Sequence, residues 1–287
     1  MAVSDVRCKS CFLRTYENLF DKFGIYTSHF EEFLKEFHAF YEREADMSSP
    51  EIQRLLSKIF VKLTGIADPF EQEKHHSNLL ALELYRKWQP IVAQSIDPID
   101  VAIRLSIAGN IMDYGASLSF EVDSTIDTVL KSEYAVDHSQ YLRNKIANAK
   151  QILFLGDNAG EIVFDRLLIE TMGHKNVVYA VKGAPILNDV TIQDALLCNM
   201  SDVAKVIDNG YDAPSTIVEQ CSDEFKRYFN SADLIISKGQ GNLEGLVDLN
   251  DPRIFFLLMV KCDVIAEIVH VPTRSFVVYC SNLSAEN

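Results

Sequence analysis

Ile152-Leu153-Phe154-Leu155-Gly156-Asp157-Asn158-Ala159-Gly160-Glu161-Ile162-Val163-Phe164-Asp165 is the stretch from which the fold is read. Its first four residues form an uninterrupted apolar run that stops at a glycine, the pattern of a buried strand. An amphipathic run from Ile162 to Met172 follows and predicts a helix. Between the two, Asp157, Asn158 and Glu161 crowd hard-oxygen side chains at the carboxyl end of the strand and the start of the helix. In open α/β sheets ligands bind at that position. Oxygen-only donors suit Mg²⁺ or a similar hard cation, and a helix start suits an anion such as phosphate. A simpler reading fits the same residues, with Asp157 or Asn158 capping the helix by accepting backbone N–H bonds.

Downstream the pattern repeats. Apolar runs at 151–155, 177–181, 203–207, 233–237, 253–258 and 275–280 alternate with helical stretches. This predicts an α/β fold with a mainly parallel sheet covered on both faces. Upstream, residues 12 to about 148 carry helical periodicity nearly throughout, as in Phe30-Phe33-Leu34-Phe37. Ser49-Pro50-Glu51 and Asp97-Pro98-Ile99-Asp100 read as helix starts with proline in the first turn. The expected division is a helical bundle or cap over 1–148 and an α/β unit over 149–287 that carries the site. The Asp208–Pro214 stretch reads as a loop on the strand-end rim.

The bulk properties narrow the function. A formal charge of −14 argues against duplex nucleic acid, which needs clustered Lys and Arg. A small phosphorylated substrate is compatible with it, since a metal and one or two lysines make a local positive site. No run of about 18 apolar residues predicts a membrane span. Six scattered cysteines and an amino terminus without an apolar core fit a reduced, cytoplasmic setting.

Several strand ends add chemistry to the first. Asn188-Asp189 follows the second strand, and neighbouring strand ends lie close together in a parallel sheet. Asp189 can therefore complete an oxygen set with Asp157 and Asn158; it can equally cap a helix. Ser237-Lys238-Gly239-Gln240-Gly241-Asn242 follows the fourth strand and offers an ammonium and backbone N–H groups to a phosphate. The order is not that of a Walker loop. Lys261 follows the apolar stretch Phe255–Val260, and a lysine among buried neighbours needs an anion or carboxylate as partner. In the helical half, Asn110 and Asp113 stand three apart on one helical face, fitting either contact with substrate hydroxyls or satisfied polar groups in the core. Cys8 and Cys11 form a C-x-x-C with no second pair at zinc spacing and no preceding strand, which speaks against a closed zinc site and against a redox motif.

Taken in order, these elements resemble the damage-control phosphatase family, and its compact prokaryotic branch in particular. The match runs from Cys8-Lys9-Ser10-Cys11 through Asp68-Pro69-Phe70 with Lys74 and Asn78. It continues through Gly109–Gly115, Gly156–Glu161, Asn188–Thr191 and Ser237–Asn242 to Lys261-Cys262. The resemblance implies a helical domain packed on a three-layer α/β/α domain. It also implies metal-dependent hydrolysis of small phosphorylated metabolites, including sugar phosphates and damaged or over-accumulated by-products. On this resemblance Asp157, Asn158 and Asp189 hold a divalent metal such as Mg, Mn, Co or Ni. Lys261 and the Ser237, Lys238, Gly239 and Asn242 loop bind phosphate, with Glu161 in the same site. Asn110 and Asp113 reach in from the helical half. The attacking group is either a metal-oriented water or the Asp157 carboxylate. Two other readings are a non-catalytic nucleotide- or metabolite-binding module and a carboxyl methyltransferase, although no glycine-rich adenosylmethionine loop is present. The G-x-G-x-x-G order of a Rossmann dehydrogenase is likewise missing after the first strand.

Overall fold

Short runs of branched and aromatic residues, each bounded by Gly, Asp or Asn, become the strands of one seven-stranded sheet. The computed structural model describes residues 4–43, 47–109 and 126–283. The strands are β1 (Val136–Asp137), β2 (Ile152–Leu155), β3 (Val177–Val181), β4 (Lys205–Asp208), β5 (Leu234–Lys238), β6 (Ile254–Met259) and β7 (Phe276–Tyr279). Their order is β1-β7-β6-β5-β2-β3-β4. Strands β6, β5, β2, β3 and β4 run parallel, while β7 turns back against β6 and β1 follows β7. The mainly parallel sheet expected from the sequence is therefore present, with a reversed edge.

From β2 the chain winds first to one side, through β3 and β4, and later to the other, through β5 and β6. The connections leaving β2 and β5 thus diverge and open a crevice beyond their carboxyl ends, the switch point where doubly wound sheets bind ligands. Burial on both faces fixes the strands. Ile152 and Phe154 face one core, and Leu153 and Leu155 the other.

Helices α1 (Cys8–Lys22), α2 (Tyr26–Arg43) and α3 (Ser49–Thr64) enclose an aromatic core with Tyr16, Phe20, Phe33 and Phe60 at its centre. Helix α3 starts where proline predicts it. The Ser48 N–H and Oγ both donate to the Glu51 carboxylate, at 3.3 and 2.7 Å, and Pro50 occupies the first turn. Helices α4 (Glu71–Gln94) and α5 (Pro98–Gly109) pack instead with the sheet. Their Leu84, Trp88, Ile103 and Leu105 join the core that holds Ile152 and Phe154. The helical half therefore divides its burial between two cores. After β1 come α6 (Ser139–Asn148), α7 (Glu161–Met172), α8 (Ile192–Leu197), α9 (Asp223–Ser231), α10 (Gly239–Leu246) and α11 (Asp263–Val269), of which α9, α10 and α11 cover the opposite face. Among the described residues no helix is long and apolar enough to cross a membrane.

Candidate active site

The loops leaving β2 and β3 are zipped together. Val190 N–H donates to Asp157 O at 2.8 Å, Ala159 N–H to Asn188 O at 3.0 Å, and Lys182 N–H to Val190 O at 2.9 Å. Asn158 and Asp189 form an isolated antiparallel bridge. A backbone pairing, independent of any side chain, thus brings Asp157, Asn158 and Asp189 to one place. All three are nearly buried.

Two glycines permit the turn. Gly160, at φ +78°, initiates α7 and donates its N–H to Asn78 Oδ1 in α4 at 2.6 Å. Gly239, at φ +76°, follows β5, and a Cβ there would overlap the Asp157 carboxylate. The second glycine therefore lets the β5 end close against Asp157. Asn158 Nδ2 donates to Asp157 Oδ2 at 2.7 Å and to Glu161 Oε2 at 3.1 Å, which fixes the amide's orientation.

The β5 loop differs from its expected role. Lys238 is fully buried and points inward, donating to Glu161 Oε1, to Asp165 Oδ1 at 2.9 Å and to Ser106 O at 2.8 Å. Burial opposes its charge, but Asp165 and Glu161 together hold the ammonium above its ordinary value. Asp165 also accepts from Ser106 Oγ at 2.7 Å and Tyr179 OH at 2.9 Å, and burial raises its carboxyl to about 6 against the pull of Lys238. Expected at a phosphate, Lys238 instead neutralises two carboxylates beneath the site. Asn242 is likewise a strut: its Oδ1 accepts from Lys182 Nζ and Thr216 Oγ1, both at 2.9 Å. Its Nδ2 donates to Gly156 O at 3.1 Å and Lys238 O at 2.8 Å. Ser237 is fully buried in β5, and Glu161 is fully buried behind Asn158. Asn110 and Asp113 lie outside the described residues.

A cavity of about 530 Å³ opens over this corner. Asp157, Asn158 and Asp189 form one wall, and Gln240, Gly241 and Lys261 form the next. Lys261 was expected among buried neighbours. It is exposed instead, because β6 ends at Met259 and the chain has already left the sheet. Its backbone N–H bonds Gln240 Oε1, joining the two loops of that wall. The Asp208–Pro214 loop reaches the rim through Pro214, as its composition predicts.

Sequence reading missed Lys182 and Glu244. Lys182 is buried, with its Nζ 3.6 Å from Asp189 Oδ2. Its position as the first residue past β3 was the available signal. Glu244 lines the cavity, and burial pushes its carboxyl up to about 7.

The donor set fits a hard divalent cation: two carboxylates and an amide oxygen, all from residues almost out of solvent. Burial first, then the charges of Glu161 and Asp189, hold the Asp157 carboxyl well above the ordinary range, against the opposing pull of Lys182 and Lys261. Crowded carboxylates of this kind are relieved by a cation. Among the described residues no three His, Cys, Asp or Glu side chains form a ready metal cluster, so the set depends on the Asn158 amide.

Comparison with known proteins finds relatives along most of the chain. The damage-control phosphatase ARMT1-like domain matches residues 4–277. A protein of Methanocaldococcus jannaschii described as uncharacterized is 39% identical over 220 residues, covering 73% of this chain and 72% of that protein. A damage-control phosphatase of Pyrococcus horikoshii is 36% identical over 221 residues, covering 75% and 76% of the two chains. One of Archaeoglobus fulgidus is 33% identical over 215 residues, covering 73% and 75%. The crystal structure of a DUF89 family protein from Pyrococcus horikoshii matches with a TM-score of 0.87 at 29% identity, covering 98% of this chain and 100% of that one.

Proposed function

Because the chain belongs to the damage-control phosphatase family with an ARMT1-like domain, we propose that it is a metal-dependent phosphatase of small phosphorylated metabolites. Asp157, Asn158 and Asp189 are the proposed ligands of a divalent cation such as Mg²⁺, Mn²⁺, Co²⁺ or Ni²⁺. The observation that carries this reading is the Asn158–Asp189 bridge, which joins the donors of two loops on one cavity wall at the switch point of the sheet.

A bound divalent cation supplies neutralisation of the negative charge on the phosphoryl oxygens. The chain's own residues do the positioning. Lys261, on the adjoining wall, pairs electrostatically with a phosphoryl oxygen, and its N–H bond to Gln240 keeps that wall in place. Glu161 and Lys238 act from below: Lys238 holds Glu161, Glu161 holds the Asn158 amide, and Asn158 holds Asp157. The cavity is sized for a metabolite rather than a polymer. Sugar phosphates and phosphorylated by-products are the substrates this reading expects.

The test is a panel of phosphorylated metabolites assayed for phosphate release after EDTA treatment and again with each metal added back. Release is expected only with metal, and Asp157→Ala is expected to abolish it. Full turnover by the EDTA-treated enzyme, or by Asp157→Ala, would overturn the proposal.

A further inference from the structure

Three of the six cysteines meet on the wall of the cavity, Cys8 and Cys11 from the first turn of α1 and Cys262 from the turn that precedes α11. The other three, Cys198, Cys221 and Cys280, are buried in the cores. A cysteine kept only to fill space is a buried one. Cys11 is exposed and Cys8 half-buried, both facing a cavity open to solvent. Packing accounts for the second group in full; in the first, Cys8 leans in part on the aromatic core and Cys262 on the core of the sheet, while Cys11 stays at the surface.

No strand precedes this C-x-x-C, unlike the usual redox motif, yet the first turn of α1 places its two residues to react with each other. Residues three apart on an α-helix have Cα atoms about 5 Å apart, inside the span of roughly 4.4–6.8 Å that a disulfide bridges. They occupy the end of α1, where the Arg7 guanidinium is bonded to Asp5 and, at 2.7 Å, to Glu267 of α11. That clamp holds the first turn against the cavity. Among the described residues no three thiol, imidazole or carboxylate groups form a ready metal cluster, so a pair of thiols is the unit the geometry supports.

We propose that Cys8 and Cys11 are a reversible dithiol–disulfide couple in the wall of the cavity, with a hydroperoxide as the oxidant. The Cys11 sulfur, the exposed one, attacks the peroxide. The O–O bond breaks, one oxygen stays on sulfur as a sulfenic acid, and the other leaves with the thiol proton as water or alcohol. The Cys8 sulfur then attacks the sulfenic sulfur. An S–S bond forms, the S–O bond breaks, and hydroxide departs with the Cys8 proton as water. Two thiols lose two protons and two electrons, and the peroxide gains them. The couple rests on geometry alone and stands whether or not the chain is a phosphatase.

The chain is cleavable at Lys9, between the two cysteines, which makes the test direct. The full-length reduced protein is treated with hydrogen peroxide, alkylated, digested with trypsin without reductant and analysed by mass spectrometry. The expected product is Cys8-Lys9 joined to Ser10–Arg14, lost on dithiothreitol treatment and absent from Cys8→Ser and Cys11→Ser. Recovery of both peptides alkylated, of Cys11 only as an unjoined sulfinic acid, or of either cysteine joined to Cys262 would overturn the proposal. So would reduced protein carrying stoichiometric zinc that shields both thiols from alkylation.

Discussion

The carboxamide oxygen of Asn78 accepts the backbone N–H of Gly160 at 2.6 Å, although one belongs to the helical half and the other to the turn that carries Asp157 and Asn158, two of the proposed metal ligands. The same amide donates to Asp194 Oδ1 at 2.8 Å, and Asp194 Oδ2 lies 3.7 Å from Lys74 Nζ. Lys74 also pairs with Asp68 at 2.6 Å. A buried chain of polar groups thus sets the height of the 157–161 turn.

Asn78→Ala is expected to leave the Gly160 N–H buried and unpaired, at a cost of about 1–3 kcal/mol. Loss of an outer support of this kind lowers metal affinity by roughly 10–100-fold. Calorimetric titration with Mn²⁺ and a thermal melt measure the two effects. An unchanged affinity would rule out the support.

Gly239→Ala meets two obstacles, a positive φ of 76° and overlap with the Asp157 carboxylate. The backbone cost alone is roughly 1–2 kcal/mol. Displacement of Asp157 is expected to remove metal binding even where the chain still folds. Circular dichroism alongside a metal titration separates the two. Normal metal binding by the variant would show that Asp157 does not need the close approach.

The two lysines should separate cleanly. Lys238→Met leaves Glu161 and Asp165 buried without their cation, and breaking a buried pair in this way costs about 3–5 kcal/mol. Lys261→Ala removes an exposed side chain at the cavity wall and should stay within about 0.5 kcal/mol of the parent in stability, while raising KM for phosphate esters. Urea denaturation and steady-state kinetics on both variants test the pair. If Lys261→Ala unfolds and Lys238→Met does not, the assignment is inverted.

Glu244 predicts a pH dependence of stability. Its carboxyl rises from 4.5 to about 7 through burial, so the folded chain holds that proton more tightly than the unfolded chain. This contribution is largest below the ordinary Glu value and is lost as pH rises from 4.5 to about 7. Glu244→Gln is expected to stabilise the protein at pH 8 relative to pH 5, by about 1–2 kcal/mol once solvent screening of a half-buried group is allowed for. Parallel melts of parent and variant across that window decide it.

The parts of the fold readable from sequence were those written in local patterns. The Ile152–Leu155 run ending at Gly156 announced the central strand, and Asn188-Asp189 after the next strand announced the neighbouring loop. The direction of β7 was unreadable, since an apolar run looks the same whichever way its strand lies. Strand β1, two residues long, is too short to display alternation. The inward role of Lys238 is not legible locally, because its partners Ser106, Glu161 and Asp165 come from elsewhere in the chain. Glu161 and Asp165, four apart on the apolar face of an amphipathic helix, were the available sign that a buried cation would be required.

The Lys238–Ser106 contact also bears on the order in which the molecule assembles. Helices α5 and α7 emerge from synthesis well before β5, yet the Glu161 and Asp165 carboxylates acquire their ammonium only when Lys238 arrives and meets the Ser106 carbonyl. Until then α7 presents charge where it must eventually be dry. The candidate site therefore lacks its foundation until the chain through residue 238, the fourth parallel strand included, is in place. A nascent chain stalled before residue 238 would carry the 157–161 turn without the foundation that holds it.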